Sequence, residues 1–336
     1  MKANKTSDKV TALNMATEKV EEVILEGMRL VGAGVYSNVY RGTAHTKSMQ
    51  KHEIVVKKTW TTKDAADPNE TNVLRKLNRL SHPNIVKLMF IYKKEHADRV
   101  CLAMIFEAMA TSLEDYVEKV DGRMDGVEVK LITWQLFGAQ FHLTRIDIIH
   151  RDIKPANMLL NPDSGLVKLS DFGAAIIKPK KYPQHHYMVT RHYRPPEMLL
   201  ESKHYGTEID IWSCGCVMAE LVKGDVFLAG ANKDQQLQLI MELLGAPTVE
   251  DRDGMRCSEA AFLTTKMPAN RWVKTRSINW IRFWCCLVGL QFKIETPCGA
   301  ARRSSSAPKC RPTATNQAWQ ISNLCWIRNG SHWIIR

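Results

Sequence analysis

Between His150 and Gly173 the chain carries residue types at spacings that chemistry demands. His150-Arg151-Asp152-Ile153-Lys154-Pro155-Ala156-Asn157 is followed, fourteen residues after Asn157, by Asp171-Phe172-Gly173. Upstream, Gly32-Ala33-Gly34-Val35-Tyr36-Ser37-Asn38-Val39 lies between two strand-like runs, and Ile54-Val55-Val56-Lys57 ends an apolar strand on a lysine. Glu70 follows in the first turns of the next helix. These are the parts that phosphoryl transfer from ATP requires: backbone donors around the phosphates, a cation on them, oxygen ligands for Mg2+, and a base beside the incoming hydroxyl. In that chemistry Gly32, Gly34 and Val39 shape the loop over the phosphates, Lys57 reaches the α- and β-phosphates, and Glu70 holds Lys57 in line. Asp152 orients and deprotonates the acceptor hydroxyl, Lys154 steadies the γ-phosphate, and Asn157 with Asp171 holds the metal. Taken singly, two glycines at a turn or a lysine at a strand end are ordinary surface chemistry. Their order and joint presence carry the reading.

The elements that must position these residues are legible from period. Val31 to Tyr40, His52 to Lys58 and Val100 to Phe106 read as strands, rich in β-branched residues and flanking polar loops. A helix is expected from about Pro68 to Leu80, with Val73, Leu74, Leu77 and Leu80 at helical spacing. Ile132, Leu136, Ala139 and Leu143 share one face of a later helix, as do Leu237, Ile240, Met241 and Leu244 before Gly245 and Pro247 stop the run. Asp210, ahead of Ile211-Trp212-Ser213-Cys214-Gly215, starts a buried helix and reads as a tie for the catalytic-loop backbone rather than a chemical group. Residues 1 to 23 are polar and lysine-rich and read as a flexible lead-in.

Composition bounds the rest. With 336 residues, 45% hydrophobic and 24% charged, the chain has the make-up of a globular protein large enough for two lobes. The N-terminus holds no apolar run of signal length, and no stretch reaches the ~20 apolar residues of a membrane span, so the expected location is cytoplasmic or nuclear with no membrane partner. The nine cysteines lack metal-ligand spacing and read as reduced thiols. His185, His186 and His192 on one loop have no fixed acid beside them and make a poor metal set. The net charge of +12 is concentrated late: from Thr275 onward nine Lys or Arg stand against the single acid Glu295. A nucleic-acid reading of the whole protein thereby loses its main support.

On these residues, together with Arg194-Pro195-Pro196-Glu197, the chain resembles a eukaryotic protein kinase of the CMGC group. Val129-Lys130-Leu131, Gln135-Leu136-Phe137, the linker from Asn161 to Leu169 and the thirteen residues between Gly173 and Tyr187 make it most similar to the glycogen synthase kinase 3 family, over residues of about 25 to 274. The resemblance implies an α+β, bilobal fold, with a small antiparallel β lobe at 24–107 and a larger helical lobe at 108–274. It implies a hinge for adenine at Glu107-Ala108-Met109 behind Phe106, a regulatory tyrosine at Tyr187, protein Ser/Thr substrates, and a scaffold-binding groove near residues 230–265. It also places Val55 where an alanine usually packs on adenine.

Departures from that family are as informative. Ser37 takes the third glycine position, and three extra residues stand around Arg79-Leu80-Ser81. Of three basic side chains that bind a phosphate already present on substrates, only Arg151 matches; Asn69 and Ile176 occupy the other two positions. Two cationic partners for a dianion are gone, so a weak or absent preference for primed substrates is expected, with compensation by Lys178, Lys180 and Lys181 as the alternative. In the groove Phe262 is retained, while Glu259 falls where an aromatic usually sits. After Lys274 the resemblance stops, and the C-terminal helices of the large lobe, with the arginine that would pair with Glu197, are missing or replaced by a basic tail holding five Trp and five Cys. Two readings of residues 275–336 stand: a segment from a shifted frame or alternative exon, or a divergent tail covering the same core. Two functions stand as well. The complete set Lys57, Asp152, Asn157 and Asp171 favours an active serine/threonine kinase; the alternative is a catalytically weak or inactive kinase-fold scaffold.

Overall fold

The computed structural model describes residues 7–34, 37–47, 49–62, 69–97, 99–178, 190–245, 326–329 and 332–335. It divides the chain into two compact units, 1–274 and 275–336. The first opens with six antiparallel strands closed into a barrel: β1 (Ser7–Asn14), β2 (Val20–Ala33), β3 (Ser37–His45), β4 (His52–Thr62), β5 (Leu88–His96) and β6 (Arg99–Glu107), in the order β1-β2-β3-β4-β6-β5. The flexible lead-in expected over residues 1 to 23 is therefore corrected. Ser7 to Leu13 pairs residue for residue with Glu26 back to Val20, and Ala12 and Val23 are fully buried. Polar residues at alternate positions are what a strand shows when only one face meets the core.

Alternation in β4 decides what the barrel presents. Ile54 and Val56 point into the barrel core, with Val23, Leu25, Phe90 and Ile105. Val55 and Lys57 therefore face the other way. Strand β6 is buried on both faces: Ala103 and Ile105 join the barrel interior, Leu102 and Met104 the larger core below. That double burial is why Val100 to Phe106 reads as an unbroken apolar run.

Helix α1 (Asn69–Arg79) interrupts the strands and buries Glu70, Val73, Leu74 and Leu77 on one face. The chain then turns helical, through β7 (Thr111–Ser112), α2 (Leu113–Lys119) and α3 (Gly126–Arg145), the last opened by a capping box between Asp125 and Glu128. Short strands β8 (Ile148–Ile149), β9 (Met158–Asn161), β10 (Leu166–Leu169) and β11 (Ile176–Ile177) frame the segment that carries the chemical residues. Pairing of β8 with β11 and of β9 with both β7 and β10 sets that segment against the helices. Helices α4 (Pro196–Leu199), α5 (Glu208–Lys223) and α6 (Lys233–Leu244) follow, with α5 packed centrally against α3. In the second unit the described residues form one antiparallel pair, β12 (Trp326–Asn329) with β13 (His332–Ile335). The scaffold groove expected near 230–265 falls on α6 and on residues outside the described ones, as do Tyr187 and most of the tail.

Gly122 after α2 and Gly224 at the end of α5 both take left-handed backbone, with φ of 68° and 82°. Their main chains touch: a Cβ on Gly224 would lie 2.8 Å from the Gly122 carbonyl oxygen. Alanine at Gly224 meets a backbone penalty and a clash together, and Gly224→Ala is expected to lower the unfolding free energy by about 2 kcal/mol or more, read by urea denaturation.

Candidate active site

Cross-strand register brings the upstream residues into one row. Gly32 pairs with Val39, Val39 with Lys57, and Lys57 with Met104. The Gly34 N–H donates to the Ser37 carbonyl at 2.7 Å and closes the turn whose tip, Val35 and Tyr36, lies outside the described residues. Two positions along, Arg41, Val55 and Phe106 form another row.

Lys57 is the meeting point of the two lobes. Its Nζ donates to Glu70 Oε1 and to Asp171 Oδ1, each at 2.8 Å. Burial works to lower the ammonium's pKa, yet the two carboxylates outweigh it and the pKa is raised. Burial opposes ionisation of Asp171 too, but Lys57 prevails and its pKa is lowered, whereas at Glu70 burial wins and the pKa is raised. One ammonium between two carboxylates leaves a net negative charge at the cleft. Asp171 has left-handed backbone, φ 57°. Gly173 next to it is crowded: a Cβ there would lie 3.2 Å from Asp171 Oδ1 and 3.3 Å from Lys57 Nζ.

The loop after β8 gathers the other group. Asn157 Nδ2 donates to the Asp152 carbonyl at 2.8 Å and to Asp152 Oδ2 at 2.9 Å, and Lys154 Nζ stands 3.0 Å from the same Oδ2. The Asn157 carbonyl in turn accepts from Ser170 N–H and Oγ, which stitches this loop to the residue before Asp171. His150 donates through Nε2 to the Ser170 carbonyl (3.0 Å) and accepts the Asp152 N–H at Nδ1 (3.3 Å), a pairing that assigns the proton to Nε2. Burial pushes the pKa of this ring down, so it is neutral. Beneath the loop, Asp210 in the first turn of α5 accepts the N–H groups of His150 and Arg151 at 2.7 and 2.8 Å. The sequence-based reading of Asp210 as a backbone tie matches this geometry.

Lys57, Glu70 and Asp171 thus form one connected cluster, and Asp152, Lys154 and Asn157 a second, joined through Ser170. Arg151 is directed elsewhere, its Nε donating to the Ala174 carbonyl (2.6 Å) and Nη1 to Tyr205 Oη (3.2 Å). The Glu107 side chain is taken up by Lys168 Nζ and the Lys87 N–H, both at 2.8 Å. Its N–H is engaged as well, donating to the Lys87 carbonyl at 3.3 Å.

Two residues of this site escaped the sequence reading. Arg41 donates through Nη1 to the Met109 carbonyl at 2.9 Å and through Nη2 to Glu53 at 2.7 Å, tying the barrel to the expected hinge. Thr190 Oγ1 accepts from Lys154 Nζ at 3.0 Å and lies 3.5 Å from Asp152 Oδ1. Thr190 lies in the stretch Tyr187-Met188-Val189-Thr190-Arg191, which gives no sign of its bond to Lys154; for Arg41 the usable signal was its register opposite Val55, which the strand pattern alone does not fix.

A closed antiparallel barrel over a helical body, with this constellation between them, is the architecture of a phosphotransferase domain. The family model described as protein kinase domain matches residues 25–268, and the chain belongs to the protein kinase family. It is similar to glycogen synthase kinase 1 of Pyricularia oryzae, 38% identical over 192 residues that cover 56% of this chain and 48% of the relative. It is also similar to gskl-1 of Caenorhabditis elegans, a protein named for a serine/threonine kinase, at 34% identity over 226 residues that cover 66% of this chain and 61% of that protein. The chain therefore spans about half to three fifths of the length of these curated relatives.

Burial pushes the carboxyls of Glu197 and Asp210 up to about 7. Among the described residues Glu197 has no ion-pair partner. Unfolded carboxyls titrate near 4, so between pH of about 4 and 7 the folded chain binds more protons than the unfolded one. This contribution to stability is complete below pH of about 4 and is lost as pH rises through 7. Glu197→Gln is expected to flatten the fall between pH 5 and 7.5 by on the order of 2 kcal/mol, measured by urea unfolding at each pH.

Proposed function

We propose that this chain is an active serine/threonine kinase of glycogen synthase kinase type, transferring the γ-phosphoryl group of ATP to hydroxyls of protein substrates with Mg2+. The observation that carries the reading is Lys57 held at 2.8 Å by both Glu70 and Asp171, with Asp152 and Asn157 bonded to one another one short segment away.

The residues present fit the nucleotide and metal. Gly173 leaves the space beside Lys57 and Asp171 that a Cβ would fill. The two bonds from Asn157 Nδ2 to Asp152 leave the amide oxygen for a cation, and the cluster's net negative charge suits one. Among the described residues no group of three or more His, Cys, Asp and Glu could hold a metal by itself, so the remaining ligands come from phosphate and water, as is usual for magnesium. Bound at Asn157 and Asp171, the ion supplies positive charge to the phosphate oxygens. Lys57 orients the α- and β-phosphates, with Glu70 fixing the ammonium. Asp152 accepts the proton of the acceptor hydroxyl, and Lys154, anchored on Thr190, steadies the transferred group. Val55 and Val39 supply the apolar roof, with Gly32 and Gly34 over the phosphates. Arg41 fixes the Met109 carbonyl and with it the hinge.

The substrate class follows from the other departures. Asn69 Nδ2 donates to the Ala175 carbonyl at 2.8 Å, and Ile176 pairs with Ile149 and packs on the cluster of Met198, Tyr205 and Ile209. A phosphate arriving there meets the single guanidinium of Arg151, itself engaged by Ala174 and Tyr205. Unprimed protein segments are therefore the proposed substrates, with group membership favouring sites next to proline.

Purified full chain given labelled ATP and a basic protein acceptor is expected to transfer phosphate, Asp171→Asn to abolish transfer, and Asp152→Asn to lower it by about 10²-fold or more. Folded, ATP-binding protein without transfer identifies a kinase-fold scaffold instead. Primed and unprimed versions of one peptide are expected to differ by less than about threefold in kcat/KM, under 1 kcal/mol of transition-state binding; a large primed advantage would overturn the unprimed reading and leave kinase activity standing.

A further inference from the structure

The last turns of α1 and the C-terminal half of α3 meet along a tied seam. Lys76 Nζ donates to the Ile146 carbonyl at 2.6 Å, and His142 Nε2 lies 2.7 Å from the Leu80 carbonyl. The rings of His82 and His142 stack with centroids 5.1 Å apart, and Gly138 packs beside His82. With the polar groups of the seam engaged in this way, the side chains flanking it are unusual for a helix surface. Phe141 is 59% exposed, Leu80 46% and Trp134 42%. Trp134 and Phe141 are seven residues apart, two turns along one face of α3, or roughly 10 Å.

Beside Leu80 the surface of α1 forms an open recess bordered by Asn72, Arg75, Lys76 and Arg79. Its rim is cationic. Arg75 and Arg79 lie one turn apart on α1, and Arg145 at the end of α3 sets its guanidinium 5.9 Å from the Phe141 ring centroid. Glu18 answers Arg79 in an exposed pair, whereas Arg75 makes no ion pair among the described residues. Exposed aromatics beside guanidinium groups, of which Arg75 makes no ion pair among the described residues, are the composition of the energetic centre of protein interfaces.

We propose that this seam is a docking surface for an acidic, amphipathic helical segment of a partner protein. Its apolar side chains would lie on Trp134, Phe141 and Leu80, and its carboxylates on Arg75, Arg79 and Arg145. Apolar anchors seven residues apart on the partner match the rise between Trp134 and Phe141, the manner in which a helix seats on an apolar groove. Carboxylates are the groups that a guanidinium fork binds with two parallel hydrogen bonds.

The test is selection of helical peptides from a display library on the full chain, with counter-selection on Phe141→Glu. Recovered peptides are expected to carry an excess of Asp and Glu and apolar residues at spacings of three, four or seven. Their affinity, by fluorescence anisotropy, is expected to fall at least tenfold on Arg75→Glu/Arg79→Glu, to fall with added salt, and to hold on Lys203→Glu, an exposed lysine elsewhere. The substituted side chains are exposed, so thermal unfolding is expected to be unchanged, and Arg75→Ala/Arg79→Ala serves as a milder pair. Peptides that bind wild type and Phe141→Glu alike, peptides without acidic bias, or binding to anionic lipid vesicles that the same substitutions abolish would each overturn the proposal.

Discussion

A carboxylate taken out of water costs several kcal/mol unless donors replace the lost hydration. At Asp210, fully buried at the start of α5, the donors are two consecutive backbone N–H groups, those of His150 and Arg151. Both can point at one carboxylate only because Arg151 takes φ 68°, a conformation that a non-glycine residue adopts at a cost. Everything chemical downstream hangs from that turn. The His150 ring is directed at Ser170, the Arg151 side chain at Ala174, and Asp152 emerges where Asn157 can bond it. The loop and the strand leading to Asp171 are thereby one rigid piece, held by the helix at the centre of the lobe.

The barrel is joined to that piece by charge. Lys57 comes from a strand whose opposite face is sealed in the barrel core, Glu70 from a helix whose buried face it shares with Val73, Leu74 and Leu77, and Asp171 from the helical lobe. Three separate elements must be in register for the three groups to meet. Lys57 and Glu70 are shielded from water, so a loss of either leaves an uncompensated charge rather than a merely weaker contact.

The chemical residues were legible because the loop that bears Asp152, Lys154 and Asn157 is contiguous in sequence and Asp171-Phe172-Gly173 follows at a fixed distance. Glu70 was reachable because Arg75-Lys76-Leu77 follows it as in the resembled family, and it shares its buried face with Val73, Leu74 and Leu77. Strand β1 was not legible: its inward residues include Ala12, a weak strand former, and Lys9 and Thr11 lie on the solvent face, so the segment imitates a solvated lead-in until its partner β2 is known. Arg41 and Thr190 are defined by distant partners, Met109 and Asp152, and long-range pairing leaves little local trace.

The barrel is closed by a short clasp. Strand β1 zips along β2 over seven residues but reaches β5 through only two pairs, Leu13 with Ile91 and Asn14 with Phe90. A hoop fastened at so narrow a point can be unhooked without unravelling the rest, and the hairpin that would swing free includes the strand leading into Gly32 and Gly34. Cargo attached ahead of Ser7 would pull on the strand that leads into the proposed phosphate loop, so the placement of an affinity handle is itself a mechanical choice about how tightly that loop sits.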